Sequence, residues 1–422
     1  MPAPTSASAP VAVAELPSLR RRTAAVLIVS QILGGLGVAI GIALASVLAQ
    51  EVSGTEALSG LAPTAMVAGT ALLSMPLAAL MTARGRRPGL VLAYVLGAVG
   101  AGVVVVAAVV GSFPLLLVGM AGFGAGSSAN LQARFAAADL AEPERRARAI
   151  STVVWATTIG AVLGPNIAAP AGRSVAGMGI PAAAGPFLWA AGVFLVSAVM
   201  VAALLRPDPL LTARALAAGS AEDTEPEGRS LKAGFRAVRE SPRARLALVT
   251  VAASHTAMVS IMSMTPVALS HHGAGIQLIG LVISGHIAGM YAFSPVMGWL
   301  SDKLGRLSVI GLAVGLLSCA ALLAGTAGGS HGRTAAGLFL LGLGWSAGLV
   351  SGSALLTDSV PQAARAAVQG LSDLTMNTSA GIGGAAAGLI VAQAGYGWLN
   401  AVGACLLLPL AVLALRSPKR PG

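Results

Sequence analysis

Two short methionine and histidine patterns are the residues whose types and spacing best suit metal chemistry. Met258 and Met262 lie four residues apart, and so do His286 and Met290. On an α-helix this spacing places both members of a pair on one face, one turn apart. Thioether sulfur and neutral imidazole suit Cu(I), whereas Mg²⁺ and Ca²⁺ prefer oxygen ligands. The pattern therefore predicts a path for a soft monovalent metal ion.

The two apolar segments that carry these pairs, 245–269 and 277–300, are each long enough to cross a bilayer. If the first runs outward and the second returns, a rise of ~1.5 Å per residue places Met258 and His286 at a shared depth of about 15 Å. Met262 then lies about 9 Å and Met290 about 20 Å from the outer end. We expect a stepwise relay of ligands where the correct faces meet.

Packing explains the same residues in a different way. Methionine commonly fills gaps in apolar cores, and the chain has 13 methionines. An imidazole in hydrocarbon needs a partner, so a structural hydrogen bond is the alternative for His286. Four further residues are possible accessory ligands: His255, Met264, His271 and His272. The last two could collect metal at the outer entrance or form a plain solvated turn.

Composition places the chain in a membrane. Its 422 residues are 56% hydrophobic and 10% charged, whereas soluble domains carry about 25% charged residues. The net charge of +11 comes without a long basic run with interleaved aromatics, so no nucleic-acid partner is expected. Cys319 and Cys405 are isolated, which excludes a CxxC site. No catalytic constellation is present, so we expect neither an enzyme nor a cofactor.

Twelve apolar segments predict an all-α membrane protein with two six-helix halves. The expected organisation is a disordered cytoplasmic N-terminus (1–23), an N-terminal half (24–205), a cytoplasmic linker (206–244), a C-terminal half (245–415) and a cytoplasmic tail (416–422). The linker is polar, with an interfacial helix expected around Leu231–Val238. The halves repeat with an offset of about 220 residues, and Gly85-Arg86 corresponds to Gly305-Arg306. Two parallel repeats imply a substrate site between them near mid-membrane.

The distribution of cations predicts the orientation. All lysines and arginines except Arg134, Arg173 and Arg333 fall in segments that are cytoplasmic when the N-terminus is inside. The excess of Arg over Lys, with abundant Ala and Gly, is typical of a GC-rich bacterial genome. We therefore expect a multi-pass protein of the bacterial inner membrane with both termini in the cytoplasm. The sequence carries no signal for an oligomeric state.

Polar residues inside the apolar segments form the remaining set of candidates. Ionisable groups within a membrane are functional candidates by default. Arg134 and Asp373 are such groups, and a structural ion pair or helix-end role is the alternative to proton coupling at Asp373. The possible coupling and cavity residues are Asn130, Gln132, Arg134, Asp373 and Asn377.

The segment from Gly298 to Arg306 resembles the loop motif G-x-L-a-D-r-x-G-r of the major facilitator superfamily. Gly298, Asp302, Gly305 and Arg306 match the motif, and the resemblance implies that they act as a conformational latch across helix ends. The alternative for Asp302 is an ordinary solvated acid. The corresponding loop at 78–86 has Ala78 and Thr82 in place of the glycine and the aspartate. We call 78–86 the first loop motif and 298–306 the second loop motif.

MxxxM followed by HxxxM in segments seven and eight resembles the CcoA-like copper importers of that superfamily. The resemblance implies that Met258, Met262, His286 and Met290 bind the transported copper ion. The leading hypothesis is alternating-access import of Cu(I). The alternative is a transporter of a small organic solute, by riboflavin-like import or proton-coupled drug efflux, which Asp373 and the Gly-Pro element at Gly164-Pro165 favour. A third hypothesis is a non-transporting sensor or scaffold on a transporter fold.

Overall fold

The computed structural model describes residues 15–55, 58, 60–218, 231–274, 276–408 and 410, and its regular elements are helices. Fifteen α-helices follow one another along the chain, with a π-helix, Ala288–Ala292, between α10 and α11. Their bounds are α1 Leu16–Ser53, α2 Leu61–Arg84, α3 Arg86–Val110, α4 Phe113–Asp139, α5 Arg146–Ser174, α6 Gly185–Leu204, α7 Pro209–Ala218, α8 Leu231–Glu240, α9 Pro242–His271, α10 Ile276–Ile287, α11 Ser294–Leu304, α12 Arg306–Gly325, α13 His331–Asp358, α14 Arg365–Ala394 and α15 Tyr396–Cys405.

The predicted fold class, an all-α membrane protein, is confirmed. Within the described residues, ten helical segments are long and apolar enough to cross a membrane. The 27 residues of α4 also exceed the ~20 that a bilayer needs, although polar side chains interrupt that helix. Helices α1–α6 make up the N-terminal half. Helices α9 to α15 make up the C-terminal half, in which α10, the π-helix and α11 together form one crossing.

Several predicted boundaries are wrong. The sequence predicts a disordered N-terminus up to residue 23, but α1 begins at Leu16. Pro17 lies in the first turn, where its missing N–H costs nothing, and Arg20 bonds Leu140 O at 2.8 Å and pairs with Glu142. Residues 1–14 and the predicted tail at 416–422 lie outside the described part. In the linker, the expected helix is present as α8, whereas α7 was not predicted, and α9 begins at Pro242.

The two halves use corresponding helix contacts. Helix α2 of the first half packs on α14 of the second, and the corresponding α11 packs on α5. The loops after α2 and α11 turn at Gly85 (φ 94°) and Gly305 (φ 89°), a conformation that residues with a Cβ rarely adopt. The 220-residue offset read from the sequence thus matches a repeat in backbone geometry.

The halves are joined at one end of the bundle. We call this the basic end; it carries the loops at 84–86, 139–146, 304–306 and 358–365. Hydrogen bonds and ion pairs across the halves cluster there, for example Asp302 with Arg148 N and Arg146 with Asp358. Beyond residue 380, α14 is exposed on most sides, as at Ile382 and Leu389. The molecule is therefore closed at the basic end.

Candidate functional site

Three methionines of the predicted relay share one apolar cluster in the C-terminal half. Met258 on α9 and Met290 in the π-helix are buried, with 4% and 7% of their surface exposed. Both belong to a cluster around Trp345, and the half-buried Met262 packs against it. Thioether sulfur atoms from α9 and from the π-helix thus line the same region. A packing role is compatible with this burial as well.

His286 lies on α10 and has none of its surface exposed. Its Nδ1 is 2.8 Å from the carbonyl oxygen of Leu338 on α13. A carbonyl only accepts hydrogen bonds, so this contact places the proton on Nδ1 and the lone pair on Nε2. The Nε2 atom is buried and has no hydrogen-bond partner in the described part of the chain. Metal-binding histidines commonly have this arrangement, with the other nitrogen bonded to a carbonyl.

The π-helix changes the geometry assumed for the HxxxM pair. His286 lies in the last turn of α10, and Met290 lies within the π-helix Ala288–Ala292. A shared face at a spacing of four residues and a rise of ~1.5 Å per residue are properties of a continuous α-helix, so the predicted face and depths do not hold across this junction. The two side chains diverge in their surroundings, because His286 contacts α13 at Leu338 and Met290 packs in the cluster with Met258. Short π-helices are frequent at functional sites.

The accessory histidines are placed differently from one another. His255 Nδ1 accepts a hydrogen bond from Trp345 Nε1 at 2.8 Å, which places the proton of the neutral ring on Nε2 and disfavours metal binding. His271 and His272 are exposed at the end of α9. His272 Nδ1 donates to Ala268 O at 2.7 Å. Within the described residues, no group of three His, Cys, Asp or Glu side chains forms a metal-binding set. Met264 is half-buried.

Arg134 and Asp373, the intramembrane ions singled out from the sequence, form an ion pair between the halves. Arg134 Nη2 on α4 lies 2.7 Å from Asp373 Oδ1 on α14. The other carboxylate oxygen accepts a hydrogen bond from Gln132 Nε2 at 2.6 Å. Asn377 donates to the backbone oxygen of Asp373 at 2.8 Å, while Asn130 accepts from Tyr94 at 3.1 Å. Of the five predicted cavity residues, Gln132, Arg134 and Asn377 therefore all bond Asp373, whereas Asn130 does not.

Arg86 extends this network, although its place in the sequence predicts only a loop residue. Its guanidinium is fully buried and binds Asp139 through two bonds, 2.7 and 3.2 Å long. It also donates to Gln132 at 3.0 Å and to Gln369 of α14. The positional match with Arg306 in the second loop motif was the signal that could have identified it. A continuous polar network thus runs from α3 to α14 through the closed end.

The second loop motif joins α11 to α5. Asp302 accepts hydrogen bonds from Ala147 N at 3.2 Å and Arg148 N at 3.0 Å, in the first turn of α5. Carboxylates are stabilised at helix N-termini. Arg306 pairs with Asp302 and Asp358. A Cβ on Gly298 would overlap the side chain of Ser151, so glycine permits the close approach of α11 and α5.

Comparisons with known proteins agree with this architecture. The family described as Major Facilitator Superfamily matches residues 26–278 and 246–422. An uncharacterized MFS-type transporter of Bacillus subtilis (strain 168), YdeG, is 38% identical over 94% of this chain and 92% of its own. The riboflavin transporter RfnT of Brucella anthropi is 29% identical over 94% of both. The crystal structure of the MFS transporter FucP in its outward conformation has a TM-score of 0.71 at 16% identity, covering 94% of this chain and 99% of that one.

Proposed function

Because the chain belongs to the major facilitator superfamily, we propose that it is an alternating-access transporter whose cargo is Cu(I). In this proposal the basic end faces the cytoplasm of a bacterial cell, since nearly all cations lie on that side. The conformation closed at the basic end is then the outward-facing state, and copper moves inward. Membership of the family supports transport, whereas the copper assignment depends on the side chains around Met290.

The observation that carries the copper assignment is the buried Nε2 of His286, which has no hydrogen-bond partner among the residues that the structure describes. A buried polar atom without a partner carries a free-energy cost, so a ligand that pairs with it is favoured. A soft cation suits this nitrogen, and in the proposed relay the thioether sulfur atoms of Met290 and Met258, which share one apolar cluster, are its next ligands. All these ligands are neutral. A site without anionic ligands holds a monovalent ion loosely enough to release it.

The test is copper binding and uptake by single variants. Met258→Leu and Met290→Leu keep apolar volume and remove sulfur, and His286→Gln removes the imidazole. Changes beside metal ligands already cost roughly 10–100-fold in affinity, so each loss of a ligand should lower Cu(I) affinity by at least about tenfold. Purified protein is titrated against a chromophoric Cu(I) chelator, and cells expressing each variant are assayed for copper uptake.

Met297→Leu is the matched control. Met297 is also buried, with 6% of its surface exposed, but it packs in a separate cluster with Val309 and Ala313. Its replacement should leave affinity and uptake unchanged. Parental Cu(I) affinity in all three ligand variants would exclude this site as the copper path.

The second candidate cargo is a small aromatic solute such as riboflavin. Tyr291 packs edge-on against Trp345 at 5.5 Å between ring centroids, and Trp345 bonds His255. Arg134 lies on α4, which packs against α13, the helix that carries Trp345, so stacking surfaces and polar groups lie in one region. The relative RfnT also favours this candidate. Uptake of labelled riboflavin by an auxotrophic host, lost in Trp345→Leu and retained in Met258→Leu, would favour it over copper.

We further propose that Asp373 couples transport to the closing of the basic end. Its carboxylate pairs with Arg134 across the halves, so opening that end separates the two charges or requires a proton on the carboxylate. If transport does not depend on protons, the same ion pair only stabilises the state closed at the basic end. Uptake that depends on a proton gradient in the parent, but not in Asp373→Asn, would distinguish proton coupling from a purely structural ion pair.

A further inference from the structure

Arg306 of the second loop motif contacts both halves through backbone oxygen atoms, and it also pairs with Asp302 and Asp358 of its own half. Its Nη1 donates to Ser301 O at 2.9 Å, at the end of α11. Its Nη2 donates to Pro143 O at 2.6 Å, in the short loop before α5. One guanidinium thus ties the end of a helix in the C-terminal half to the start of a helix in the N-terminal half.

The first loop motif lacks this connection. Thr82 replaces the aspartate, and its hydroxyl donates to Ala78 O at 2.7 Å within its own helix. Arg86 occupies the position of Arg306, but its guanidinium is buried and binds side chains: Asp139 and Gln132 on α4, and Gln369 within α14. Neither residue reaches the loop before α14. The first loop motif therefore has no residue of its own that repeats the two carbonyl contacts of Arg306.

Arg214 of the linker helix α7 makes the corresponding contacts. Its Nη1 donates to Thr82 O at 2.8 Å, at the end of α2, and its Nη2 donates to Ala363 O at 3.3 Å, before α14. Under the 220-residue offset, Ala363 corresponds to Pro143, and Thr82 corresponds to Asp302, the neighbour of Ser301. The same two places in the repeat are thus bridged by an arginine from a different part of the chain.

Asp208 holds α7 in the position that this bridge requires. Its Oδ2 accepts a hydrogen bond from Arg87 N at 2.7 Å, at the start of α3. Its Oδ1 accepts from Leu210 N and Leu211 N, in the first turn of α7. A Cβ on Gly85 would lie 2.5 Å from Asp208 Oδ2. The linker helix is therefore fixed to the N-terminal half and reaches the C-terminal half through Arg214.

We propose that Arg214 is a positioning residue of the transport cycle, because it supplies from the linker the bridge between two backbone carbonyls of opposite halves that the first loop motif does not make itself. Arg214 stabilises the state closed at the basic end, and its two carbonyl contacts break when that end opens. The proposal rests on alternating access and not on the identity of the cargo.

The test measures how far the basic end opens in the full-length protein. Cys319 and Cys405 are replaced by alanine, and spin labels are attached through Ala83→Cys on α2 and Leu304→Cys on α11, which are exposed residues at the basic end in opposite halves. Double electron–electron resonance then gives the ratio of long to short label distances. Arg214→Gln should raise this ratio about tenfold, which corresponds to about 1.4 kcal/mol.

Arg206→Gln is the matched control, because Arg206 is also a linker arginine, but among the described residues it bonds only Ala202 O, in the N-terminal half, at 3.2 Å. Arg214→Lys keeps the charge without the two-pronged donor geometry, so it should give an intermediate ratio. Thr82→Asp in the Arg214→Gln background restores the carboxylate of the motif and should bring the ratio back to within about twofold of the parent. We expect this because Asp302, at the corresponding position, accepts hydrogen bonds from the first turn of α5.

An unchanged distance ratio in Arg214→Gln, or an equal shift in Arg206→Gln, would overturn the proposal. A shift that Thr82→Asp does not reverse would also overturn it, because it would mean that α7 contributes only general stability. The measurement needs no cargo. A wrong copper assignment would therefore appear in the binding assays and leave this result unaffected.

Discussion

Replacing Asp373 by asparagine should open the basic end. Arg134 and Asp373 are 2% and 1% exposed, so the variant leaves a buried guanidinium without its counter-charge. Removing one partner of a buried ion pair costs about 3–5 kcal/mol. Asparagine retains one acceptor oxygen, so the lower figure applies. In a state open at the basic end, water can solvate Arg134, and the cost falls mainly on the closed state.

About 3 kcal/mol corresponds to a change of about 150-fold in the ratio of open to closed molecules. A parent that is 99% closed would become a mixture with slightly more open than closed molecules. The spin-label pair at Ala83 and Leu304 measures this ratio directly. The double variant Arg134→Gln/Asp373→Asn removes both charges, and it should recover most of the closed population because no uncompensated charge remains.

Glu142→Gln is the control for a general effect of charge loss. Glu142 pairs with Arg20 within the N-terminal half, and these side chains are 44% and 32% exposed. Exposed pairs contribute less than about 1 kcal/mol, so the distance ratio should hardly change. A parental distance distribution in Asp373→Asn would refute the reasoning, as would a double variant that is more open than the single one.

Three further perturbations test the contacts that close the basic end. Gly370→Ala introduces a Cβ that overlaps Ala78; overpacking costs about 1–3 kcal/mol, so the label distances should lengthen, and Ala78→Gly in the same chain should reverse the change. Asp302→Asn removes the charged cap of α5 and should raise the open-to-closed ratio about tenfold, corresponding to ~1.4 kcal/mol, whereas an unchanged ratio would exclude a latch. Gly85→Ala forces a side chain into φ 94° beside Asp208, and a thermal midpoint equal to that of the parent would contradict the expected cost of about 1–3 kcal/mol.

Sequence reasoning was most reliable where one property of a segment decides its structure. Long apolar runs must form helices in a bilayer because every backbone polar group needs an internal partner. The fold class followed from this requirement. The rarity of charge inside those runs also singled out Arg134 and Asp373, because a buried ion needs a partner. The pairing of these two residues with each other depends on the tertiary structure, and the sequence also left a helix-end role open for both.

Features that depend on contacts between distant segments could not be predicted. Helix α7 is short, and its place is fixed by Asp208 at the start of α3 and by Arg214 at Ala363, more than a hundred residues away. The π-helix at Ala288–Ala292 has no distinctive composition, so the HxxxM pair was assigned to a continuous α-helix. The partner of His286 was equally unpredictable, because it is a backbone oxygen, which every residue of α13 carries.

Ala78, which stands in place of the motif glycine in the first loop motif, illustrates how a repeat can diverge in sequence while its helix contacts persist. In the second loop motif, Gly298 on α11 makes room for α5; in the first, α2 carries Ala78 and the glycine, Gly370, lies on the opposing helix α14. The small residue has changed sides, and the close approach of the helices remains. The loss of the motif glycine at Ala78 therefore does not mean that the close contact between the two helices is lost.

Transport also limits how strongly the basic end can be held shut. A ligand shifts a two-state equilibrium only by its difference in affinity for the two states, and a change from 1:99 to 99:1 takes about 5.5 kcal/mol. The buried ion pair of Arg134, the hydrogen bond from Arg86 to Gln369 and the bridges of Arg214 and Arg306 all join the halves in the closed state. Contacts at the opposite end must offset most of their sum in the other conformation. Moderate individual contributions, such as the tenfold effect expected for Arg214, are therefore what a working cycle requires.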